Sequence, residues 1–307
     1  MCGCLGGELL TARRLPMSDR PKKKLRLDEI GYWSEVKLDI IREYAKAYST
    51  ILGAQVKPRF HHVYIDAFAG SGYHMTRGSR DLVWGSPAVA LLTDPPFAEY
   101  HFIDLDRRKV ETLREMVQSR TIGPYDPNTV QVYNADCNEA LIQTIFPTVR
   151  FDQYRRGLCL LDPYGLHLDW RVIEAAGRMR SLEIFLNFPI MDMNRNVFWR
   201  NPEGVDEANI ARMNAFWGDN SWRAVAYRAE QTLFGPREEK NDNETVAEAF
   251  RERLRRVAGF SNVPPPIPMR NGIGATVYYL YFASQRPVAQ NIVNHIFDKY
   301  RDRGAAS

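Results

Sequence analysis

The chain has 307 residues, 45% of them hydrophobic and 25% charged, with a formal net charge of +4, which suits one large globular domain or a domain with a sizeable insertion. No apolar run reaches the roughly 18 residues a membrane-spanning helix needs, and the start lacks the apolar stretch of a signal peptide, so a cytoplasmic protein with no membrane partner is expected. Its four cysteines, Cys2, Cys4, Cys137 and Cys159, show no zinc-ligand spacing, so no metal site is expected.

Residues 1–27 are rich in Gly, Pro and Lys without periodicity and read as a disordered basic tail, with Met17 as an alternative natural start. The run Arg20, Lys22, Lys23, Lys24, Arg26 and the cluster from Arg251 to Arg256 read as solvated faces that permit an anionic substrate without demanding one. From residue 36 to 52 the positions Leu38, Ile41, Tyr44, Ala45, Tyr48, Ile51 and Leu52 recur at helical spacing. A β-prone run at 62–66 then enters the small-residue loop Ala67-Phe68-Ala69-Gly70-Ser71-Gly72, and Ser86-Pro87 starts a helix.

Strand and helix now alternate. Strands are predicted at 100–104, 129–133, 157–161 and 182–188, with helices at 107–118, 139–145 and 170–179 between them. Residues 194–260 break this rhythm as a helical insertion, and a strand at 275–284 with a helix at 288–300 completes the core. The pattern predicts an α/β protein with a doubly wound, mostly parallel Rossmann-like sheet, an N-terminal helix and a helical insertion, its core spanning 28–193 and 261–307.

Ligands of such sheets bind beyond the carboxyl ends of the strands. Four successive strands end in Asp66, Asp104, Asp136 and Asp162, and clustered carboxylates destabilise a fold unless a ligand or hydrogen bonds compensate. The first loop is neither a P-loop, since Tyr73-His74-Met75 follows it, nor a three-glycine dinucleotide fingerprint. Its Gly70 and Gly72 let a ligand approach the backbone. Asp104 is placed to accept the hydroxyls of an adenosine ribose, Asp136 to reach an adenine amino group and Cys137 to offer its backbone to the ring, whereas Asp106 reads as a helix cap. Asp66, Phe68, Ala69, Gly70, Gly72, Asp104, Asp136 and Cys137 thus form a candidate S-adenosylmethionine pocket.

Asp162-Pro163-Tyr164-Gly165 is the candidate catalytic turn, although by composition it is also simply a good turn. An exocyclic amine is a poor nucleophile because its lone pair is conjugated. The Asp162 carboxylate and the Pro163 carbonyl are suited to hold its two hydrogens while Tyr164 stacks on a flipped base. Asp94-Pro95-Pro96-Phe97 resembles this turn but lies at the wrong edge, Asn187 is expected at the substrate entrance, and Lys37 reads as a solvent lysine.

The blocks Trp33-Ser34-Glu35-Val36-Lys37-Leu38, 64–72, Gly85-Ser86-Pro87, 161–165, Asn187-Phe188-Pro189 and Asn194-Arg195 resemble the three-Cys-motif partner (TcmP) family. That resemblance covers about residues 28–300. It implies a methyltransferase-like fold and a partner protein bearing a three-cysteine motif, similar to radical enzymes, but no particular substrate. The Asp162 turn is also similar to the Asp/Asn-Pro-Pro-Tyr turn of adenine-N6 methyltransferases, with the second proline missing. The expectation is therefore a methyltransferase acting on an amino group of RNA or DNA, the alternative being a catalytically silent cofactor-binding scaffold.

Overall fold

The computed structural model describes residues 29–76, 82–120, 122–232 and 235–301; the expected tail over 1–27 lies outside them. After the short strand β1 (Glu29–Ile30), helix α1 (Tyr32–Gly53) buries Leu38, Ile41, Tyr44, Ala45 and Tyr48 of the predicted stripe, leaves Ile51 exposed and leads to β2 (His61–Asp66). Two short strands, β3 (Tyr73–Thr76) and β4 (Leu82–Trp84), precede α2 (Ser86–Leu91), which begins with proline at its second position. The alternation continues through β5 (Glu99–Asp104), α3 (Arg107–Ser119), β6 (Val130–Asn134) and α4 (Cys137–Glu139), extended by a π-helical turn, Ala140–Ile145. It then runs through β7 (Arg155–Leu161), α5 (Trp170–Met179) and β8 (Leu182–Phe188).

Next come α6 (Ile190–Asn196), α7 (Glu207–Trp217), α8 (Trp222–Ala226), a hairpin of β9 (Tyr227–Thr232) and β10 (Gly235–Lys240), and α9 (Asn243–Arg256). The chain closes with β11 (Ile267–Arg270), β12 (Thr276–Ala283) and α10 (Pro287–Arg301). No described helix is long and apolar enough to cross a membrane.

Seven strands form the central sheet in the order β11-β12-β8-β7-β2-β5-β6. β12 alone runs against its neighbours, pairing antiparallel with both β8 and β11. Helices α1, α2, α3 and α10 bury one face around Tyr44, Phe102 and Phe282. The other face lies under α5, α7 and α9. The segment between β8 and β11 is thus part of the core: the Phe188 and Phe250 rings lie 4.5 Å apart, and the Tyr281 hydroxyl donates to the Ala247 carbonyl at 2.7 Å.

The return of that segment presses on α5 at Gly177, where an added Cβ would stand 2.0 Å from the Ala258 carbonyl oxygen. Alanine favours a helix over glycine by about 1 kcal/mol, but overpacking against backbone typically costs about 1–3 kcal/mol or more. Gly177→Ala is therefore expected to lower the urea midpoint; a raised midpoint would mean that the two segments do not meet as described.

At the amino edge, Glu99 opens β5 among His61 (2.9 Å), His101 (2.9 Å) and Arg155 (2.5 Å). Hydrogen bonding to His101 and His61, aided by Arg155, holds its carboxyl far below the ordinary 4.5. A depressed carboxyl contributes stability that is complete above about pH 4.5 and lost as pH falls toward its folded value. Glu99→Gln should flatten the acid limb of a stability profile followed by circular dichroism below about pH 4.5; an unchanged limb would exclude this cluster as a cause of acid unfolding.

Candidate functional site

Strand register sets the depth of each acid. Asp66 is level with Phe102 on β5 and Leu160 on β7, so Asp104 and Asp162 stand two residues, about 7 Å, nearer the carboxyl edge. Asp136 stands two residues beyond Asn134, the partner of Asp104 in β6. Asp66 is completely buried, and its Oδ2 makes no hydrogen bond. Burial pushes its carboxyl up to about 7, against the pull of the Ser86 hydroxyl, the Phe68 N–H and Lys37.

The loop after β2 is stitched to β5. The Ala69 N–H donates to the Ile103 carbonyl at 2.8 Å, and the Gly70 N–H donates to Asp104 Oδ2 at 2.8 Å. Asp104 Oδ1 accepts from the Asp106 N–H at 2.8 Å, so each carboxylate oxygen keeps acceptor capacity for a ligand. Gly70 sits at φ +64°, and a Cβ built there meets nothing within 4 Å: the loop borders open space. At Gly72 an added Cβ would instead strike Met116 at 2.5 Å, so this glycine serves packing on α3. Phe68 packs against the core.

Asp106 caps α3 by accepting from the Arg108 N–H. Asp136 caps too: its Oδ1 accepts from Asn138 (2.8 Å) and Glu139 (3.3 Å), a role its place before a helix signals as clearly as for Asp106. Cys137 is buried, which pushes its thiol up to about 12. Asn138, also buried, ties the loops after β6 and β7 together by donating to the His167 carbonyl (3.1 Å) and accepting from the Asp169 N–H (2.8 Å).

The largest correction concerns Lys37. It is buried rather than solvent-facing, and its Nζ pairs with Asp162 Oδ2. Its stripe with Ile41, Tyr44 and Tyr48, all buried on α1, was the available signal. The Asn187 side chain donates to Asp162 Oδ1 at 2.9 Å, so Asp162 is clamped from α1 and from β8. Pro163 is buried, while Tyr164 is 94% exposed beside it. Gly165 turns the chain at φ +84°, with the Asp192 carboxylate 3.0 Å from where its Cβ would be. Leu105, between Asp104 and the helix-capping Asp106, is 73% exposed and offers an apolar surface that sequence reading passes over. Asp94 to Phe97 lies before β5, with the Pro95 carbonyl accepting from Ser49 and Phe97 buried. Among the described residues no group of His, Cys, Asp and Glu is arranged to hold a metal ion.

The strand order, the helices on both faces and the acids along one edge define a doubly wound, Rossmann-like α/β protein with its ligand edge at the carboxyl ends of the strands. No family model matches the chain, and no curated protein matches it. Among solved structures it is similar to the methyltransferase domain of bacterial CtHen1, at 9% identity over 80% of this chain and 99% of that one, with a TM-score of 0.40. It is also similar to an S-adenosylmethionine-dependent methyltransferase from Clostridium acetobutylicum, at 11% identity over 80% and 91% of the two chains, TM-score 0.38. The METTL16 MTase domain gives 12%, 79%, 66% and 0.39 in the same order.

Proposed function

We propose that the chain is an S-adenosylmethionine-dependent methyltransferase acting on an amino group of a nucleic-acid base. The observation that carries this reading is the convergence of Asp66, Asp104, Asp136 and Asp162 on one edge, beside open space at Gly70 and the exposed ring of Tyr164. The residues suit the cofactor: the Asp104 oxygens keep acceptor capacity for ribose hydroxyls, Leu105 offers an apolar surface to an adenine, and the buried Asp66 favours a cationic ligand that would stabilise its ionised form. When bound, the cofactor supplies an electrophilic methyl group on a sulfonium.

The chain's residues do the rest. Asp162 and the Pro163 carbonyl accept the two amine hydrogens, drawing the nitrogen toward tetrahedral geometry, and Tyr164 stacks on the base. Lys37 and Asn187 fix the Asp162 carboxylate; positioning of this kind contributes several kcal/mol to such reactions. The same clamp also suits a second reading, a catalytically silent scaffold, in which Asp162 serves to tie α1 to β8 through Lys37 and Asn187. The resemblance to the TcmP family would set such a scaffold beside a three-cysteine-motif partner.

Incubation with methyl-labelled S-adenosylmethionine and separate RNA and DNA pools tests the first reading. Label on base amino groups supports it. Binding of S-adenosylhomocysteine with no transfer to either pool favours the scaffold, and no binding at all rejects the cofactor pocket.

A further inference from the structure

The opposite, amino edge of the sheet carries a feature the acidic edge does not explain. The guanidinium groups of Arg156, Arg180 and Arg286 lie 3.9, 5.6 and 5.5 Å from the centre of one ring, Phe151. Arg156, near the start of β7, also covers Phe60 at 4.9 Å and donates to the Phe151 and Arg155 carbonyls at 3.1 and 2.7 Å. Arg180 ends α5 as its left-handed C-cap, φ 59°, just before β8. Arg286 follows β12 and acts on Glu183 through its charge.

These arginines border a groove of about 280 Å³ whose apolar wall includes Tyr48, Ile51, Phe60 and Val288. Among the described residues the acid lining it is Glu183. Burial pushes that carboxyl up to about 7, while hydrogen bonds from the Tyr44 and Ser284 hydroxyls occupy it. Arg156 is accordingly lowered by burial and by the charge of Arg286. Of the three, Arg286 is drawn to Glu183, one carboxyl group against three guanidinium groups, so the cluster keeps a positive charge, and guanidinium groups match phosphate oxygens in pairs.

We propose that this groove binds a phosphate monoester carrying a planar or apolar group, with a mononucleotide as the ligand class. The arginines hold the phosphate, and the apolar wall holds the organic part. The volume lies just below the roughly 300–1,000 Å³ of drug-sized sites, which suits a single nucleotide. The site is about 20 Å, a strand's length, from the acidic edge, and does not rest on methyl transfer.

Titration calorimetry of the full chain with uridine 5′-monophosphate tests it, because a pyrimidine nucleotide avoids the adenine preference proposed for the other edge. The nucleotide should bind and uridine should not. Arg180→Gln and Arg286→Gln, both at exposed positions and checked for folding by thermal denaturation, should each weaken binding roughly tenfold or more, whereas Asp104→Ala should leave it unchanged. The proposal is overturned by absence of binding to the wild type, by variants that bind equally well, or by loss of binding in Asp104→Ala. Inorganic phosphate binding as tightly as the nucleotide would overturn the role of the apolar wall.

Discussion

Asp162→Ala is expected to cut methyl transfer by about 10²–10⁴-fold while leaving S-adenosylhomocysteine binding near the wild-type value. The reasoning starts from what the carboxylate touches. Its side chain is 22% exposed and lies between Lys37, 10% exposed, and the Asn187 amide, so its oxygens are fixed rather than mobile. Removing it strands the Lys37 ammonium, and breaking a buried pair can cost about 3–5 kcal/mol, less at this partial exposure. A loss of activity in Asp162→Ala could therefore report unfolding. Asp162→Asn separates the two effects: it keeps the shape and one acceptor oxygen, and should stay folded with transfer still reduced. Lys37→Met should lower kcat more than it raises KM, with Lys37→Arg recovering part of the loss, because the direct partner of Lys37 is Asp162. Wild-type transfer by a folded Asp162→Asn protein would remove Asp162 from the mechanism and favour the scaffold.

The parts of this arrangement legible in the sequence share a local cause. Six of the seven central strands announce themselves as short β-prone runs, and their carboxyl ends are marked where Asp66, Asp104 or Asp162 follows apolar residues, so the edge where a ligand would sit could be read directly. The seventh, β11, is hidden by Pro264 to Pro266 and by Pro268 within it, a residue tolerated there because β11 is an edge strand. The hairpin of β9 and β10 escapes for another reason: Gly235-Pro236-Arg237-Glu238-Glu239-Lys240 has little β propensity of its own, and its pairing with β9 is what makes it a strand. Lys37 shows the limit for the site. Its type argues for solvent and its spacing for the core, and only the partner 125 residues away decides between them. The same holds for Phe250, whose ring contacts reach Phe188, Phe216 and Tyr281; a helix pattern alone cannot show that the 194–260 segment covers the sheet.

The second large effect is expected at the proposed cofactor pocket, where Asp104→Ala should weaken S-adenosylhomocysteine binding by roughly 10²-fold or more, since two charge-assisted hydrogen bonds of about 1.5–3 kcal/mol each would be lost. Asp104 has a second task that complicates the result. It receives the Gly70 and Asp106 N–H groups, so its removal frees the loop after β2 as well as the ribose contacts. Gly70→Ala resolves the ambiguity. A Cβ there meets no protein atom within 4 Å, so the free protein bears only the strain of a left-handed alanine, about 1–2 kcal/mol. The methyl group would nevertheless project into the space assigned to the cofactor. If that space is the pocket, calorimetry should show binding lost in Gly70→Ala, with a thermal midpoint lowered by only a few degrees, as a change of about 1–2 kcal/mol allows for a chain of this size. Undiminished binding in Gly70→Ala would mean that the cofactor does not pass over the loop. A weakening seen in Asp104→Ala alone would then trace to the loosened loop and not to the ribose.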